Sequence, residues 1–332
     1  MSQDFDAYVT AALFDREGRA SFALGDGVVR LLHGDGYVSV EAHDGAALCA
    51  AVHPGGRGVV TGGDDGRLVW SRIEGDEVVA TVLAEIKGRW IDAVAASRES
   101  GLIAFAAGRE AHVRDIADPR FARVFTHEKS VSDVAFDPKG RRLAVATYGG
   151  VMLWYARIAE QKPTLLKWAG SHVGVSFSLD GKFLISSMQE NQLHGWRLAD
   201  AKDMRMGGYP AKVKSLAFLA KGMLMATSGA NGVVVWPFGG ANGPMGKEAS
   251  EVGFDQSALV TRVAGTADGT VLAAGLDDGR VWVCDLTSRR IETIKADKGA
   301  PISALAVTAR GDRVAWGDED GLAGVATSPA LG

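Results

Sequence analysis

Four residues between positions 43 and 70 have side chains that could act on one another: His43, Thr61, Asp65 and Trp70. A histidine between a hydroxyl and a carboxylate is the arrangement of serine hydrolases, in which the imidazole activates the hydroxyl as a nucleophile. That chemistry also needs a nucleophile held at a strained turn, and the sequence contains no G-x-S-x-G motif. We therefore predict that these residues stabilise the fold and that the protein has no catalytic residue and is not an enzyme.

Metal and cofactor chemistry is not indicated either. Histidines at ligand spacing along a helix or strand would favour a metal site. The seven histidines show no such spacing; they are His33, His43, His53, His112, His127, His172 and His194. The glycine pairs at 62–63 and 239–240 precede predicted strands, whereas phosphate-binding loops open helices. We expect no metal and no cofactor.

Composition limits the partners and the location. The chain has 332 residues, with 43 Gly but only 9 Pro, and 36 Lys and Arg against 40 Asp and Glu, a formal net charge of -4. No overall positive field would attract nucleic acid. No leader peptide or long apolar run is visible, and Cys49 and Cys284 each lie in an apolar stretch. These features favour a cytoplasmic protein with no membrane or nucleic-acid partner.

The elements that must position these residues form an internal repeat. Residues 51–70 read AVHPGGRGVVTGGDDGRLVW, which is a strand, a Pro-Gly turn, a second strand, an Asp-Gly turn and a third strand ending in Trp. The same order returns at 135–154, 176–196 and 217–236, and in weaker form at 13–31, 95–113, 264–283 and 306–325. Short β-like stretches between the repeats supply a fourth strand. Four strands per repeat of roughly 40–45 residues predict a β-propeller.

The pattern thus predicts an all-β fold, a single β-propeller domain over residues 1–332 with four-stranded antiparallel blades. We favour eight blades, with the N-terminal residues completing the last blade so that no sheet edge stays open. Seven blades are the alternative, because the weak repeats at 13–31 and 306–325 could share one blade.

The repeats resemble the WD-repeat family of β-propellers over nearly the whole chain, about residues 7–326. The resemblance implies a structural role for His43, Thr61, Asp65 and Trp70 as the family's hydrogen-bonded tetrad. Other repeats keep only part of it, as in His127, Thr147 and Trp154, or Thr227, Asn231 and Trp236. We expect mainly apolar packing to hold those blades.

The resemblance also implies that partners dock on the narrow top face. That face carries the turn between the second and third strands and the residue before each first strand. The latter residues are Tyr8, Ala46, Trp90, Ser130, Ser171, Lys212, Leu259 and Pro301. Trp90 and Tyr8 are candidate anchors because large aromatic side chains bury much area with few rotatable bonds. Alternatively, Trp90 covers a neighbouring blade.

Charged turn residues give a second pattern on that face. Acidic residues occur in repeats one, two, seven and eight: Asp26, Asp64, Asp65, Asp277, Asp278, Asp318, Glu319 and Asp320. Basic residues occur in repeats three, four and six: Arg89, Arg109, Lys129, Lys212 and Lys214. If the ring closes, the face is acidic on one side and basic or aromatic on the other, although Asp before Gly is also a common turn former.

Together these features predict a non-catalytic scaffold or adaptor that binds a protein or peptide across the top face, as a monomer or within a hetero-complex. The expected contributors are Trp90, Tyr8, Asp64, Asp277, Glu319, Arg109 and Lys212. The alternative is an enzyme or small-ligand binder that uses the central channel, where Asp133 is the one inward carboxylate in the first strands considered. The irregular stretch 238–250 is either a flexible insertion or a contact arm.

Overall fold

The computed structural model describes residues 1–328, and the fold in that range is all-β. Its only helical segment is a single 3-10 turn at Ala220–Gly222, so the described chain contains no helix that could span a membrane. The strands are β1 (Ser2–Asp4), β2 (Val9–Phe14), β3 (Ala20–Leu24), β4 (Val28–His33), β5 (Gly36–Glu41), β6 (Ala47–Val52), β7 (Val59–Gly63), β8 (Arg67–Glu74), β9 (Glu77–Glu85), β10 (Ala93–Ser97), β11 (Leu102–Ala107), β12 (Glu110–Asp115), β13 (Ala122–Thr126), β14 (Val131–Phe136), β15 (Arg142–Tyr155), β16 (Thr164–Phe177), β17 (Phe183–Met188), β18 (Leu193–Arg197), β19 (Lys202–Met206), β20 (Leu216–Leu219), β21 (Leu224–Thr227), β22 (Val233–Pro237), β23 (Ser250–Val252), β24 (Val260–Gly265), β25 (Val271–Leu276), β26 (Val281–Asp285), β27 (Ile291–Lys295), β28 (Ile302–Val307), β29 (Arg313–Asp318) and β30 (Leu322–Thr327).

The second repeat shows why this sequence forms a meander. Strand β7 is buried along its whole length, whereas the outer strand β9 alternates between exposed and half-buried residues. The turn after β7 ends in Asp65 and Gly66: the Asp65 carboxylate accepts the Arg67 N–H at 2.9 Å, and Gly66 has φ +79°. A Cβ on Gly66 would lie 2.4 Å from the Ile86 carbonyl oxygen, so only glycine fits there. Local turn chemistry thus fixes where each strand ends.

The fold is a β-propeller, but the prediction of eight four-stranded blades is wrong. In residues 1–328 the strands form seven blades, counted as hydrogen-bonded sheets. Six have four strands and one has six: β2–β5, β6–β9, β10–β13, β14–β19, β20–β23, β24–β27, and β28–β30 with β1. The weak first and last repeats lie in separate sheets. The count of seven blades therefore does not arise because these two repeats share one blade, as the sequence analysis suggested.

The six-stranded sheet results from extended hydrogen bonding at one junction, between the repeats at 135–154 and 176–196. Strands β15 and β16 run for 14 residues each, and Tyr148 of β15 pairs with Ser171 of β16. At the junction of β6–β9 with the next sheet there is no such strand pairing among the described residues. A single backbone hydrogen bond, from the Ile91 N–H to the Gly63 carbonyl at 3.0 Å, occupies the corresponding position. Strand β16 therefore belongs to both repeats and joins them in one sheet.

The N-terminal segment completes the last sheet, as predicted. Strand β1 pairs antiparallel with β30, with Ser2 opposite Gly324 and Asp4 opposite Leu322. Since β30 would otherwise present an open edge, this pairing satisfies its backbone groups.

The described chain divides into two compact units. Unit I comprises Met1–Phe14, Ser178–Phe183 and the described residues from Glu190 onward; unit II comprises Asp15–Phe177 and Leu184–Gln189. In unit II one core cluster joins Leu102 and Leu143, which belong to adjacent sheets; in unit I another joins Val235 and Leu272 in the same way. Each core is therefore built by burying sheet faces against one another.

Candidate partner-binding surface

Within each unit the second-to-third-strand turns lie beside the residues that precede the first strands. The turn N–H groups donate to the carbonyls of those residues: Asp64 to Ala46 at 3.1 Å, Asp277 to Leu259 at 2.9 Å, and Glu319 to Pro301 at 3.1 Å. The two classes of position thus share one edge of the sheets. We call these turns, with the segments immediately before the first strands, the turn edge.

Trp90 is an exposed side chain on an anchored backbone segment of the turn edge of unit II. Its indole is 64% exposed, whereas its neighbour Ile91 is fully buried and donates its N–H to the Gly63 carbonyl at 3.0 Å. The Arg89 carbonyl lies so close to Gly66 that a Cβ there would be 2.6 Å away. The backbone is therefore anchored while the ring faces solvent, which does not fit a side chain that covers a neighbouring blade.

Tyr8 lies on the turn edge of unit I with 40% of its surface exposed. It acts electrostatically, with Glu319, on Arg262 of β24. Burial lowers the pKa of the Arg262 guanidinium, and these two neighbours act in the opposite direction. Arg262 donates to the Ser303 carbonyl at 2.6 Å. The structure thus brings Tyr8 and Glu319 together around Arg262, a residue that the sequence analysis missed because it lies within a first strand.

The acidic turn residues are tied into the fold more than expected. The Asp277 carboxylate accepts the Leu259 N–H at 2.8 Å, and the Asp64 carboxylate lies against Gly45. Asp278 forms an ion pair with Arg280 at 2.7 Å. Glu319, in contrast, is exposed. A hydrogen bond from a neutral N–H leaves the Asp277 carboxylate charged, whereas the ion pair with Arg280 offsets the charge of Asp278. The polarised face stays a prediction.

The basic candidates lie in different units. Arg109, in the β11–β12 turn of unit II, is exposed, and its carbonyl accepts the His127 N–H at 2.9 Å. Lys212, which precedes β20 in unit I, is half-buried, and its carbonyl oxygen lies near Gly229. Both residues occupy the turn edge of their own unit.

Sequence reasoning missed two exposed aromatic residues on this edge. Tyr148, at the β15 turn in unit II, is 65% exposed, and Phe254, before β24 in unit I, is 64% exposed. The neighbouring Asp255 N–H donates to the carbonyl of Asn231, a turn residue, at 2.9 Å. In residues 1–328 the exposed large aromatic side chains are Tyr8, Trp90, Tyr148, Tyr155 and Phe254. The first three lie on the turn edge, Phe254 lies near it, and Tyr155 lies away from it. For Tyr148 the sequence did contain a signal, because an aromatic residue lies within a predicted turn in the string ATYGG.

Three of the four tetrad residues are hydrogen-bonded to one another. His43 Nδ1 lies 3.1 Å from Asp65 Oδ1, and His43 Nε2 lies 2.8 Å from Thr61 Oγ1. Burial alone would raise the pKa of the Asp65 carboxyl, but hydrogen bonds from the Arg67 N–H and from His43 hold it below its usual value. A buried imidazole held between two fixed groups pins the turn.

Trp70 does not join this network. Its indole N–H donates to the Arg57 carbonyl at 2.9 Å, and its ring stacks on His53 with centroids 3.9 Å apart. Trp70 therefore stabilises the chain just before β7, at the opposite end of that strand from the turn that His43 holds.

Polar networks also hold the repeats with incomplete tetrads, so apolar packing is not their only support. The Tyr209 hydroxyl lies 2.7 Å from Thr227 Oγ1 and accepts the Trp236 indole N–H at 2.6 Å. Tyr209 thus replaces the missing histidine. In the fourth repeat the Trp154 indole donates to His127 Nε2 at 3.0 Å.

Asp133 forms a bridge between inner strands of unit II. One carboxylate oxygen accepts the Val175 N–H at 2.8 Å and the other accepts the Val134 N–H at 2.9 Å. Burial raises the pKa of this carboxyl to about 7, assisted by the nearby charge of Asp92. Within residues 1–328 no group of three or more His, Cys, Asp or Glu side chains could hold a metal ion. Asp133 thus has a structural explanation in its backbone partners.

The stretch 238–250 is anchored to the rest of unit I. Phe238 is buried and packs edge-on against Phe183 and Phe218, with centroids 5.4 and 5.2 Å away. Arg197 donates to the Asn242 side-chain oxygen at 2.6 Å. The loop is therefore packed at both its start and its middle.

The comparisons with known proteins agree with this architecture. The family model "WD domain, G-beta repeat" matches residues 36–70 and 120–155, so the chain contains WD40 repeats within a β-propeller. The chain is similar to the crystal structure of the computationally designed Ika8 protein, with 19% identity over 98% of both chains and a TM-score of 0.77. At that identity the likeness shows the fold alone. No curated protein matches the sequence.

Proposed function

We propose that this protein is a non-catalytic scaffold that binds a partner protein or peptide over the turn edge. The observation that carries the proposal is the placement of exposed aromatic side chains: Trp90 and Tyr148 in unit II, and Tyr8 and Phe254 in unit I. Exposed Trp and Tyr side chains are over-represented among residues that anchor interfaces.

Anchored backbone supports the same conclusion. The segment that carries Trp90 is fixed by the Ile91 N–H bond to Gly63, and Tyr148 is fixed by its pairing with Ser171. A segment whose backbone is already ordered loses little further backbone freedom on binding, which favours affinity. Glu319 and Arg109, both exposed, would add orientation through charge.

The test is capture of partners from the native cell with matched variants. Tyr148 and Tyr155 are 65% and 55% exposed and lie near opposite ends of the third-strand segment of β15. We expect Trp90→Ala and Tyr148→Ala to lose the captured partner and Tyr155→Ala to retain it. Equal capture by all three variants, each with wild-type stability, would refute the turn-edge proposal.

We also propose a cytoplasmic location, with the protein acting as a monomer or within a hetero-complex. Cys49 and Cys284 are free thiols, and burial raises the pKa of each. Unpaired thiols, one half-buried and one buried, agree with a reducing compartment. Imaging of a tagged protein and size-exclusion chromatography of cell extract test these two points.

A further inference from the structure

A second surface feature lies at the opposite edge of unit II, between the β6–β9 and β10–β13 sheets. It is a pocket of about 250 Å³. Its wall is largely apolar and includes Trp70, Leu83, Ile103 and Ile116, with His53, Arg114 and Asp115 as polar members. Because His53 and Ile116 follow the ends of β6 and β12, the pocket lies away from the turn edge. We call it the Arg114 pocket.

Arg114 gives the pocket its chemical preference. Its guanidinium donates to the Val113 carbonyl at 3.1 Å and lies over the Phe105 ring at 5.6 Å, and it forms no ion pair among the described residues. The adjacent Asp115 is not available to it, because its carboxylate pairs with Arg157 at 2.7 Å and accepts the Ala117 N–H at 2.8 Å. A half-buried guanidinium without a carboxylate partner is unfavourable until one arrives.

The rest of the wall adds no net charge, because Asp115 is paired with Arg157 and the other residues are apolar or neutral. His53 stacks on Trp70 with an interplanar angle of 10°, and its Nδ1 accepts the Gly55 N–H at 3.1 Å. Burial, with the nearby charge of Arg72, lowers the pKa of His53 to about 4, so the imidazole is neutral at physiological pH. The pocket therefore offers a preformed apolar cavity with one positive charge, that of Arg114, which has no carboxylate partner among the described residues.

We propose that the Arg114 pocket binds a partner peptide that presents a large apolar side chain beside a carboxylate. The apolar side chain would fill the cavity against Trp70 and Ile103. The carboxylate would pair with the Arg114 guanidinium, whose planar array of donors suits two-point binding of a carboxylate. The cavity lies just below the ~300–1,000 Å³ of small-molecule sites, which favours one side chain over a larger ligand. This proposal does not depend on the turn edge.

The test is selection of short random peptides displayed on phage against the wild-type protein. We expect enriched clones that place a large apolar residue next to Asp, Glu or the C-terminal carboxylate. These clones should bind Arg114→Gln about tenfold or more weakly. Arg120→Gln removes the same charge nearby from a side chain that is 94% exposed, and binding should persist. The absence of any clone that depends on Arg114 would overturn the proposal.

The turn-edge variants separate the two surfaces. Clones of the Arg114 pocket should bind Trp90→Ala like wild type, and clones lost only on Trp90→Ala report on the turn edge. If Arg114→Gln fails to fold, NMR of the wild-type protein replaces it. Then 3-phenylpropanoate should shift the Trp70 indole signal and 3-phenylpropanamide should not. Equal shifts with both compounds, or none with either, would overturn the proposal.

Discussion

Replacement of Asp133 by Asn should remove a defined part of the pH dependence of stability. The pKa of the Asp133 carboxyl rises from an ordinary 3.8 to about 7 in the folded protein, chiefly through burial. A shift of that size corresponds to a change of at most about 4 kcal/mol in the free energy of unfolding between the protonated and the ionised form of Asp133. The folded protein binds this proton more tightly than the unfolded chain does. The free energy of unfolding therefore falls by up to about 1.4 kcal/mol per pH unit as pH rises from about 4 to about 7.

In Asp133→Asn this component is absent, because the amide does not titrate. The single amide oxygen can replace only one of the two carboxylate oxygens that accept the Val134 and Val175 N–H groups, which costs about 1 kcal/mol at low pH. The two stability curves should therefore cross, with the wild-type protein more stable in acid and the variant more stable near neutral pH.

Urea unfolding followed by tryptophan fluorescence measures both curves between about pH 4 and about pH 8. Asp92→Asn is the control. Loss of that neighbouring charge should lower the pKa of Asp133, so the pH-dependent fall in stability should occur at lower pH than in the wild-type protein. Parallel curves for wild type and Asp133→Asn would refute the reasoning, because the carboxyl would then titrate alike in the folded and unfolded states.

Two further predictions concern buried polar contacts. Tyr209→Phe removes the hydroxyl that accepts the Trp236 indole N–H and should lower the free energy of unfolding in urea by about 2 kcal/mol. In the Tyr209→Phe background, Trp236→Phe should lower it by less than it does in the wild-type protein. Full additivity in that double-mutant cycle would contradict the contact. The lowered pKa of His53, about 4, means that stability present above about pH 6.5 is lost as pH falls, by up to about 3 kcal/mol. His53→Asn keeps an acceptor for the Gly55 N–H and should flatten this acid limb of the urea curve, whereas an unchanged limb would assign the loss to other groups.

The repeated elements could be predicted because their signals are local. The Asp65-Gly66 turn and the strands around it depend on backbone dihedral angles and side-chain caps within a few residues. The number of sheets could not be predicted in this way. Tyr148-Gly149-Gly150 resembles the other turns, yet Tyr148 pairs with Ser171 of the next repeat. Pairing between distant strands leaves no periodic pattern in the sequence.

The candidate site was predictable in part for the same reason. Trp90 and Tyr8 were found by counting back from the first strands, and both are exposed. Phe254 lies six residues before β24, outside that count, and the structure places it near the turn edge only through the contact of Asp255 with Asn231. The role of Tyr209 escaped because a phenol hydroxyl replaces an imidazole there, a substitution visible only from the contacts.

The pairing of β1 with β30 means that this sheet can be completed only after nearly the whole chain has been synthesised. Its partners lie roughly 320 residues apart, and ribosomes add about 5–20 residues per second, so Ser2–Asp4 waits roughly 15–60 s for its partner strand. An unpaired extended segment can recruit other chains during that interval. Ser, Gln and Asp are polar, and all three residues remain exposed after pairing. The waiting strand is therefore well hydrated and a poor template for aggregation, which suits a sheet that is completed last.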